Sequence, residues 1–502
     1  MAVPLVFFFL VFAVDVFWFQ HRNGAFHVLD VFSSMSVEDS RQILGGMGEV
    51  ITAILGIVIT VASIIVQLAA TRYTPRITEM FFKDKTNLMV IAFFIMSAVF
   101  CLLVNFSIRG DAAVSFIPVA GSLVVVVLMT VSLILIAPYF IYVFYFLEPE
   151  NIVRGIERAA SSLAVTRPAS MDVETMQVQV VRSIEQLADI AVNAVAQKDK
   201  GIATSAIDAL RDLLREYHAH DQQLPEDWFH ISGVLRNNTD FISMHREILD
   251  EISEKHIWLD YKVLRQYQMI YNESLNRMRD INYIVAIDTR TLGEDAIAKN
   301  HQEDLKLVLK FFNTYLRATL NARDVRTAYN VLHQYRLLAE AVLRAGMDDY
   351  LLEIAGYFRY YGQVAFGMNI AFITETVAYD LTSLCELAFS AGAPIGDKLL
   401  DVLLEVDKEA EGEAQEKSLR GVRKAQIKMA TYFLLHEDYE RAHRIYLDMQ
   451  HEPIERIRSI RAELMSVESK DFWEVIDRGE NFDYLHPDRR AMLPEFFSRF
   501  PQ

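Results

Sequence analysis

Residues 49–71 read EVITAILGIVITVASIIVQLAAT. Glu49, Thr52, Gly56, Thr60, Ser63, Gln67 and Thr71 recur at steps of three and four, which puts them on one face of an α-helix. Most of the intervening positions are Ile, Val, Leu or Ala. From Glu49 to Thr71 the stripe covers about 33 Å at about 1.5 Å per residue, the full thickness of a bilayer's hydrocarbon core. A polar line of that length must face something other than lipid. Two readings compete. In the first, small residues let neighbouring helices approach and hydroxyls bond across the contact or back to their own helix. In the second, copies of this helix surround a water-filled axis, with Glu49 forming a ring of carboxylates at the outer mouth and Gln67 and Thr71 lining the inner one. A carboxylate and an amide at opposite ends favour the pore, because a packing face has less need of them.

Three more apolar stretches flank this one. Val3–Phe19 is broken only by Asp15, Leu88–Ile108 is continuous, and Val114–Leu147 contains Pro118 and Pro138. A spanning helix needs about 20 apolar residues, so we expect four spans, at about 3–19, 49–71, 87–108 and 114–147. The first lacks the basic leader and small-residue cleavage site of a signal peptide. Its Asp15 reads as an intramembrane acid near the headgroups. The fourth is too long for the bilayer, and we expect its helix to start near Ile117, tilt, and run on beyond the membrane. Tyr139, Tyr142 and Tyr145 near its end read as interfacial aromatics, and Gly45, Gly46 and Gly48 as a bend or hinge before the second span. Arg72, Arg76, Lys83 and Lys85 lie between spans two and three, and Arg154, Arg158 and Arg167 follow span four. The positive-inside rule then places both termini and residues 151–502 in the cytoplasm, with Arg72 and Arg76 at the cytoplasmic mouth.

The composition agrees. Of 502 residues 52% are hydrophobic, and 49 Lys and Arg face 66 Asp and Glu for a net charge of −17. Residues 1–150 hold 7 basic and 10 acidic side chains, which leaves 42 and 56 in the remainder. An apolar N-terminal domain therefore precedes a large acidic one. The acidic balance argues against nucleic acid as a partner. The 2 cysteines, Cys101 and Cys385, provide neither a disulfide framework nor a thiolate metal site and read as core residues.

The run VQLAATRYTPRITEMFFKDK, residues 66–85, followed by the apolar LMVIAFFIMSAVFCLLV, resembles a bacterial family of predicted membrane proteins, the domain of unknown function twenty-two fifty-four. The matching features are a small-residue helix end, the turn Arg72-Tyr73-Thr74-Pro75-Arg76, and the Lys83-Asp84 pair before the next span. Residues 186–210 keep that family's Ala-rich helix and Thr204 but lack the prolines of the loop between them. The resemblance covers about the first 220 residues. It implies a four-span protein of a bacterial inner membrane with a cytosolic extension, and it supplies no activity. Independently, Pro75 disfavours helix at Thr74, so span two should end near Tyr73.

From 151 onward apolar residues recur at helical spacing, as in Leu305, Val308, Leu309, Phe312 and Leu316. Helix stops are expected at Gly201, Gly346 and Gly392–Pro394. Residues 424–449 resemble one tetratricopeptide-type repeat, with Ala430 and Tyr432, a turn at Glu437–Asp438, then Tyr439, Ala442 and Tyr446. The fold expected is all-α: four transmembrane helices (1–150), a cytoplasmic helical domain (151–320) and an irregular, tetratricopeptide-like α-solenoid (321–502). Tyr357, Phe358, Tyr360, Tyr361 and Phe366 read as hairpin core. The acidic stretch Asp401–Glu416 reads as a solvated face or loop, and the aromatic C-terminal segment as a cap on the solenoid or a dock for a neighbouring subunit.

Catalytic and cofactor motifs are missing: no Walker A, GxGxxG, GxSxG, HExxH or EF-hand loop. His218 and His220, beside Glu216 and Asp221, form an HxH pair whose spacing does not place both rings on one helical face. No metal and no cofactor are expected, and no enzymatic activity. The function expected is a homo-oligomeric, cation-conducting channel lined by the second span. Its partners would be the lipid bilayer, copies of itself and inorganic ions. The alternative is a membrane-anchored scaffold or receptor whose helical repeats bind a cytosolic protein.

Overall fold

The computed structural model describes residues 36–72, 76–111, 114–116, 118–165, 171–221, 224–407, 416–472, 478–479 and 481–500. The chain divides into two compact units, 1–152 and 153–502. The first expected span, with Asp15, lies outside the described residues.

Among the described residues unit 1 contains three helices long and apolar enough to cross a membrane. Helix α1 (Val37–Arg72) is 36 residues long and starts twelve residues ahead of Glu49, earlier than the 49–71 pattern suggests. Its start is set by Ser36, whose Oγ accepts the Asp39 N–H at 3.1 Å, and by Glu38 and Asp39 in the first turn, where carboxylates complement the helix dipole. Gly45, Gly46 and Gly48 make no bend; they lie inside this helix. Gly48 serves close packing, since a Cβ there would stand 3.3 Å from Cys101 Sγ. The helix ends at Arg72, as Pro75 requires. A short amphipathic helix, α2 (Arg76–Lys83), buries Ile77 and Phe81 and exposes Phe82 and Lys83. Helix α3 (Lys85–Ser107) follows. A small antiparallel hairpin of β1 (Arg109–Asp111) and β2 (Val114–Phe116) then reverses the chain.

Helix α4 (Val119–Phe146) follows, with Pro118 before its first residue and Pro138 inside it. It does not continue beyond the apolar stretch as the sequence suggests. Leu147 and Glu148 break the helix before α5 (Pro149–Val165), because a residue ahead of proline is pushed out of helical backbone. Leu44, Ile51, Ala98, Cys101, Val104, Ile108 and Val125 form the apolar centre where α1, α3 and α4 meet. Cys101 and Cys385 are free and buried, as expected of core residues.

Unit 2 is helical in its long elements. After α5 come α6 (Val173–Ala196) and α7 (Lys200–His220), short helices at 226–229, 233–236 and 246–254, then α8 (Trp258–Ser274), α9 (Arg279–Lys299), α10 (Gln302–Asn321), α11 (Val325–Arg344), α12 (Asp348–Gly367), α13 (Ala371–Ser390), α14 (Gly396–Leu404), α15 (Glu416–Leu435), α16 (Tyr439–Met449) and α17 (Ile454–Ser466). Alternate helices stack. One row runs α7, α9, α11, α13, α15 and the other α6, α8, α10, α12, α14, with consecutive helices from α6 to α14 also packed on one another. Within the first row α9 and α11 approach so closely that a Cβ on Gly293 would lie 2.9 Å from Leu338 Cδ1.

One turn geometry recurs. Lys198, His256, Asn300, Arg323, Gly346, Asn369, Gly392 and Glu437 all sit at positive φ. At each of them the next residue donates its N–H to a carbonyl five residues back, for example Asp199 to Ala194 at 2.8 Å and Asp438 to Phe433 at 2.9 Å. This is the Schellman closure of a helix C-terminus. Three of these next residues are aspartates that also cap the following helix: Asp199 accepts from the Ile202 N–H, Asp324 from Thr327 and Asp438 from Arg441. Gly201 is therefore not a stop; it lies in the first turn of α7, and Lys198 ends α6. Gly346 and Gly392 do end helices, and the turn expected at Glu437–Asp438 is present.

The C-terminal segment folds back on unit 2's own helices. Arg478, on Asp380 of α13, also donates to the Tyr329 carbonyl at 2.6 Å, and Phe482 stacks on Tyr379 at 4.7 Å. Of the aromatics read as hairpin core, Phe358, Tyr361 and Phe366 are buried, whereas Tyr360 is exposed and Tyr357 half-buried.

A non-glycine residue at positive φ carries about 1–2 kcal/mol of backbone strain. Glu437 is exposed with φ 59°. Glu437→Gly is therefore expected to stabilise the chain by about 0.5–1 kcal/mol after the entropy of glycine is subtracted. A thermal melt reads this as a rise of about 2 °C.

Candidate functional site

The face that α1 gives to its neighbours is apolar: Leu44, Ile51, Ile54, Val58, Ala62, Val66 and Ala69 are all buried. At about 100° per residue, the polar stripe falls nearly opposite that face. Glu49, Thr52, Gly56, Thr60, Gln67 and Thr71 are exposed and Ser63 is half-exposed. A Cβ added at Gly56 would meet nothing within 4 Å. Packing among the described helices of this chain thus does not account for the stripe.

Two hydroxyls on it are satisfied locally. Thr52 Oγ1 donates to the Gly48 carbonyl at 2.8 Å, and Thr71 Oγ1 to Leu68 at 2.9 Å. Among the described residues Glu49 and Gln67 have no side-chain partner. The face presents a carboxylate at one end and an amide several turns away, flanked by exposed Val50, Ile57, Ile59, Ile64 and Leu68. It suits either another helix or a column of water. Arg72 closes α1 and Arg76 opens α2, so both stand at the end of the stripe.

At that same end the structure shows a polar knot that the sequence does not announce. Asp84 caps α3 by accepting the Asn87 N–H at 2.9 Å, and it also accepts the Tyr142 hydroxyl. The Asn87 amide, 1% exposed, donates to the Phe81 carbonyl at 3.1 Å and accepts the Tyr139 hydroxyl at 2.7 Å. One Asp-x-x-Asn start thereby ties α2, α3 and α4 together. Tyr139 is accordingly buried between helices, while Tyr145 is 63% exposed. Asp84 followed three residues later by Asn87 is a visible capping signal. Its long-range partners have no local trace.

In unit 2 the HxH pair separates. His220 Nδ1 stays on its own helix, 3.0 Å from the Glu216 carbonyl. His218 turns inward to Asp260 and Asp221. Burial alone would push the His218 imidazolium down, but the Asp260 carboxylate and the hydrogen bonds to Asp221 and Asp260 outweigh it and lift its pKa to about 10.

Residues 1–179 match the family model described as "Predicted membrane protein (DUF2254)", the family the Arg72–Asp84 region resembles. No curated protein matches the chain. A solved structure titled "Circular tandem repeat protein with novel repeat topology and enhanced subunit contact surfaces" is 13% identical, covering 85% of this chain and 98% of that one, with a TM-score of 0.30.

Asn87→Leu would leave the Tyr139 hydroxyl and the Phe81 carbonyl unpaired in a buried site. Each orphaned group costs about 1–3 kcal/mol. The variant should lose about 2 kcal/mol or more of stability in detergent, read as an earlier thermal unfolding of the membrane unit.

Proposed function

We propose that this chain is not an enzyme but a homo-oligomeric channel of a bacterial inner membrane, with a cation-conducting pore lined by the polar stripe of α1. One observation carries the reading: a polar line as long as the hydrocarbon core, turned away from the helix's own bundle. Lipid is a poor neighbour for Glu49 and Gln67, and several copies arranged about an axis would give them water. A ring of Glu49 carboxylates and the acidic excess of residues 151–502 favour cations. On this reading four spans cross the membrane, the Arg72–Lys85 end and both termini are cytoplasmic, and Arg72 and Arg76 line the inner mouth. The two rows of helices in unit 2 act as a tetratricopeptide-like solenoid that assembles or gates the oligomer.

The second reading is a membrane-anchored scaffold whose solenoid recruits a cytosolic protein. It is favoured by an open groove of about 600 Å³ lined by Asn313, Arg317, Glu353, Tyr357 and Tyr360. On this reading the stripe is a dry contact between copies.

Planar-bilayer recording of the purified full chain separates the two. Wild type should give cation-selective steps, Glu49→Gln should lower the cation preference several-fold, and the Gln67→Cys variant should be blocked by a small water-borne thiol reagent. Silence under voltage and tension from well-folded oligomers, with the thiol introduced by Gln67→Cys inaccessible to that reagent, would overturn the channel and leave the scaffold.

A further inference from the structure

His218 belongs to a cluster assembled from three helices. It stands in the last turn of α7, with Asp260 in the first turn of α8. His301 precedes α10 and Asp304 lies in that helix's first turn. His218 Nε2 is 2.7 Å from Asp260 Oδ1 and 3.9 Å from Asp304 Oδ2, and His301 Nδ1 is 3.1 Å from Asp304 Oδ2. One donor atom from each of His218, His301 and Asp304 falls within 4.8 Å of the other two. In a tetrahedral site with bonds of about 2.1 Å, donors stand about 3.4 Å apart, so these spacings bracket what one ion requires.

Two independent features point into the same space. Asp260 is 5% exposed, yet its Oδ2 has no hydrogen-bond partner. Such an oxygen is free to accept a proton donor or a cation. The cluster also borders a small cavity of about 20 Å³, walled on its apolar side by Leu264 and Leu292. That is room for one ion or one water.

Arg215 at the rim is paired with Asp295 at 2.8 Å, and Lys299 also lines the cavity.

We propose that His218, His301 and Asp304, with Asp260 as the fourth donor, bind one divalent transition-metal ion of the zinc class. Two imidazoles argue against magnesium or calcium, which take oxygen donors. Asp221 is not a ligand. It sits 3.3 Å from His218 Nδ1, the ring nitrogen facing away from the ion, and orients the imidazole as carboxylates do behind zinc-bound histidines. Four protein donors make a closed, structural site. It clamps α7, α8 and α10 from outside the apolar core. The site stands apart from the pore reading, since it needs neither an oligomer nor conduction.

The test uses the full chain in detergent, stripped with a chelator and reloaded with Zn²⁺ alone. Metal content per chain, affinity by competition with a chromophoric chelator, and the visible spectrum of the Co²⁺ form are measured. Wild type and His220→Ala should each hold one Zn²⁺. His301→Ala and Asp304→Asn should lose it or weaken it by about 100-fold or more, together with the Co²⁺ band, while circular dichroism stays native. Asp221→Asn should keep the stoichiometry and bind about 10–100-fold more weakly. The His301 side chain is 34% exposed, so its variant serves if Asp304→Asn fails to fold. No zinc on folded wild type, or zinc that survives both ligand variants, would overturn the site and leave a plain ion-pair cluster.

Discussion

A carboxylate and an amide on a helix long and apolar enough to cross hydrocarbon call for other polar matter beside them, and that constraint bears on the whole of unit 1. On α1 the apolar face is already taken by α3 and α4, with Ile51, Val58 and Val66 covered. The polar face, half a turn away, is left for a neighbour that the described part of one chain does not supply. Packing among the described helices, the plainest account of such a stripe, does not cover it. Contact with another copy, or with water, is the reading proposed for that face.

The same unit shows how backbone and side-chain polarity are handled where they cannot be avoided. Each break in the apolar helices is matched by a local device. The reversal between α3 and α4 is a hairpin whose strands pair with each other. The break between α1 and α3 is closed by Asp84 and Asn87, which satisfy a helix start, a carbonyl of α2 and two tyrosine hydroxyls of α4. Pro118 stands where a missing N–H is no loss, ahead of the first helical residue.

What the sequence discloses follows from range. The three long apolar helices, the stop at Arg72 and the stripe are periodic or local features, and they are legible. The start of α1 is hidden because three glycines look like a bend, whereas Gly48 answers to Cys101, more than fifty residues on. The end of α4 is hidden because hydropathy continues to Leu147 while Pro149 imposes the break. In unit 2 the helices are legible from their spacing, and so are the stops at Gly346 and Gly392 and the turn at Glu437–Asp438. Lys198 and Arg323 end helices as glycine would, and nothing in their chemistry announces it; the aspartate that follows each is the available signal. The HxH motif draws the eye to His220, yet the partners of His218 lie 42 and 86 residues away in sequence, at Asp260 and Asp304. Side-chain clusters built across a helical stack carry no local spacing.

Long-range polar contacts also explain how an acidic unit keeps its helices in register. Lys262 is wholly buried, and its ammonium is shared by Glu185 at 2.9 Å, Asn238 at 2.9 Å and Asp240. Arg478 lies on Asp380, which also meets Arg336 at 3.2 Å. Arg211 reaches Asp288 at 2.8 Å across the contact between α7 and α9. Apolar ridges let stacked helices slide by a turn at modest cost, but a buried charge has one arrangement in which it is paired. Shifting any of these helices would strand an ion in the interior, which costs far more than the net worth of the pair. The pairs therefore add less to stability than to specificity: they select one stacking of the two rows. In a stack where each helix touches only its near neighbours, such a pair acts at its own step: Lys262–Glu185 between α6 and α8, Arg211–Asp288 between α7 and α9, Arg336–Asp380 between α11 and α13.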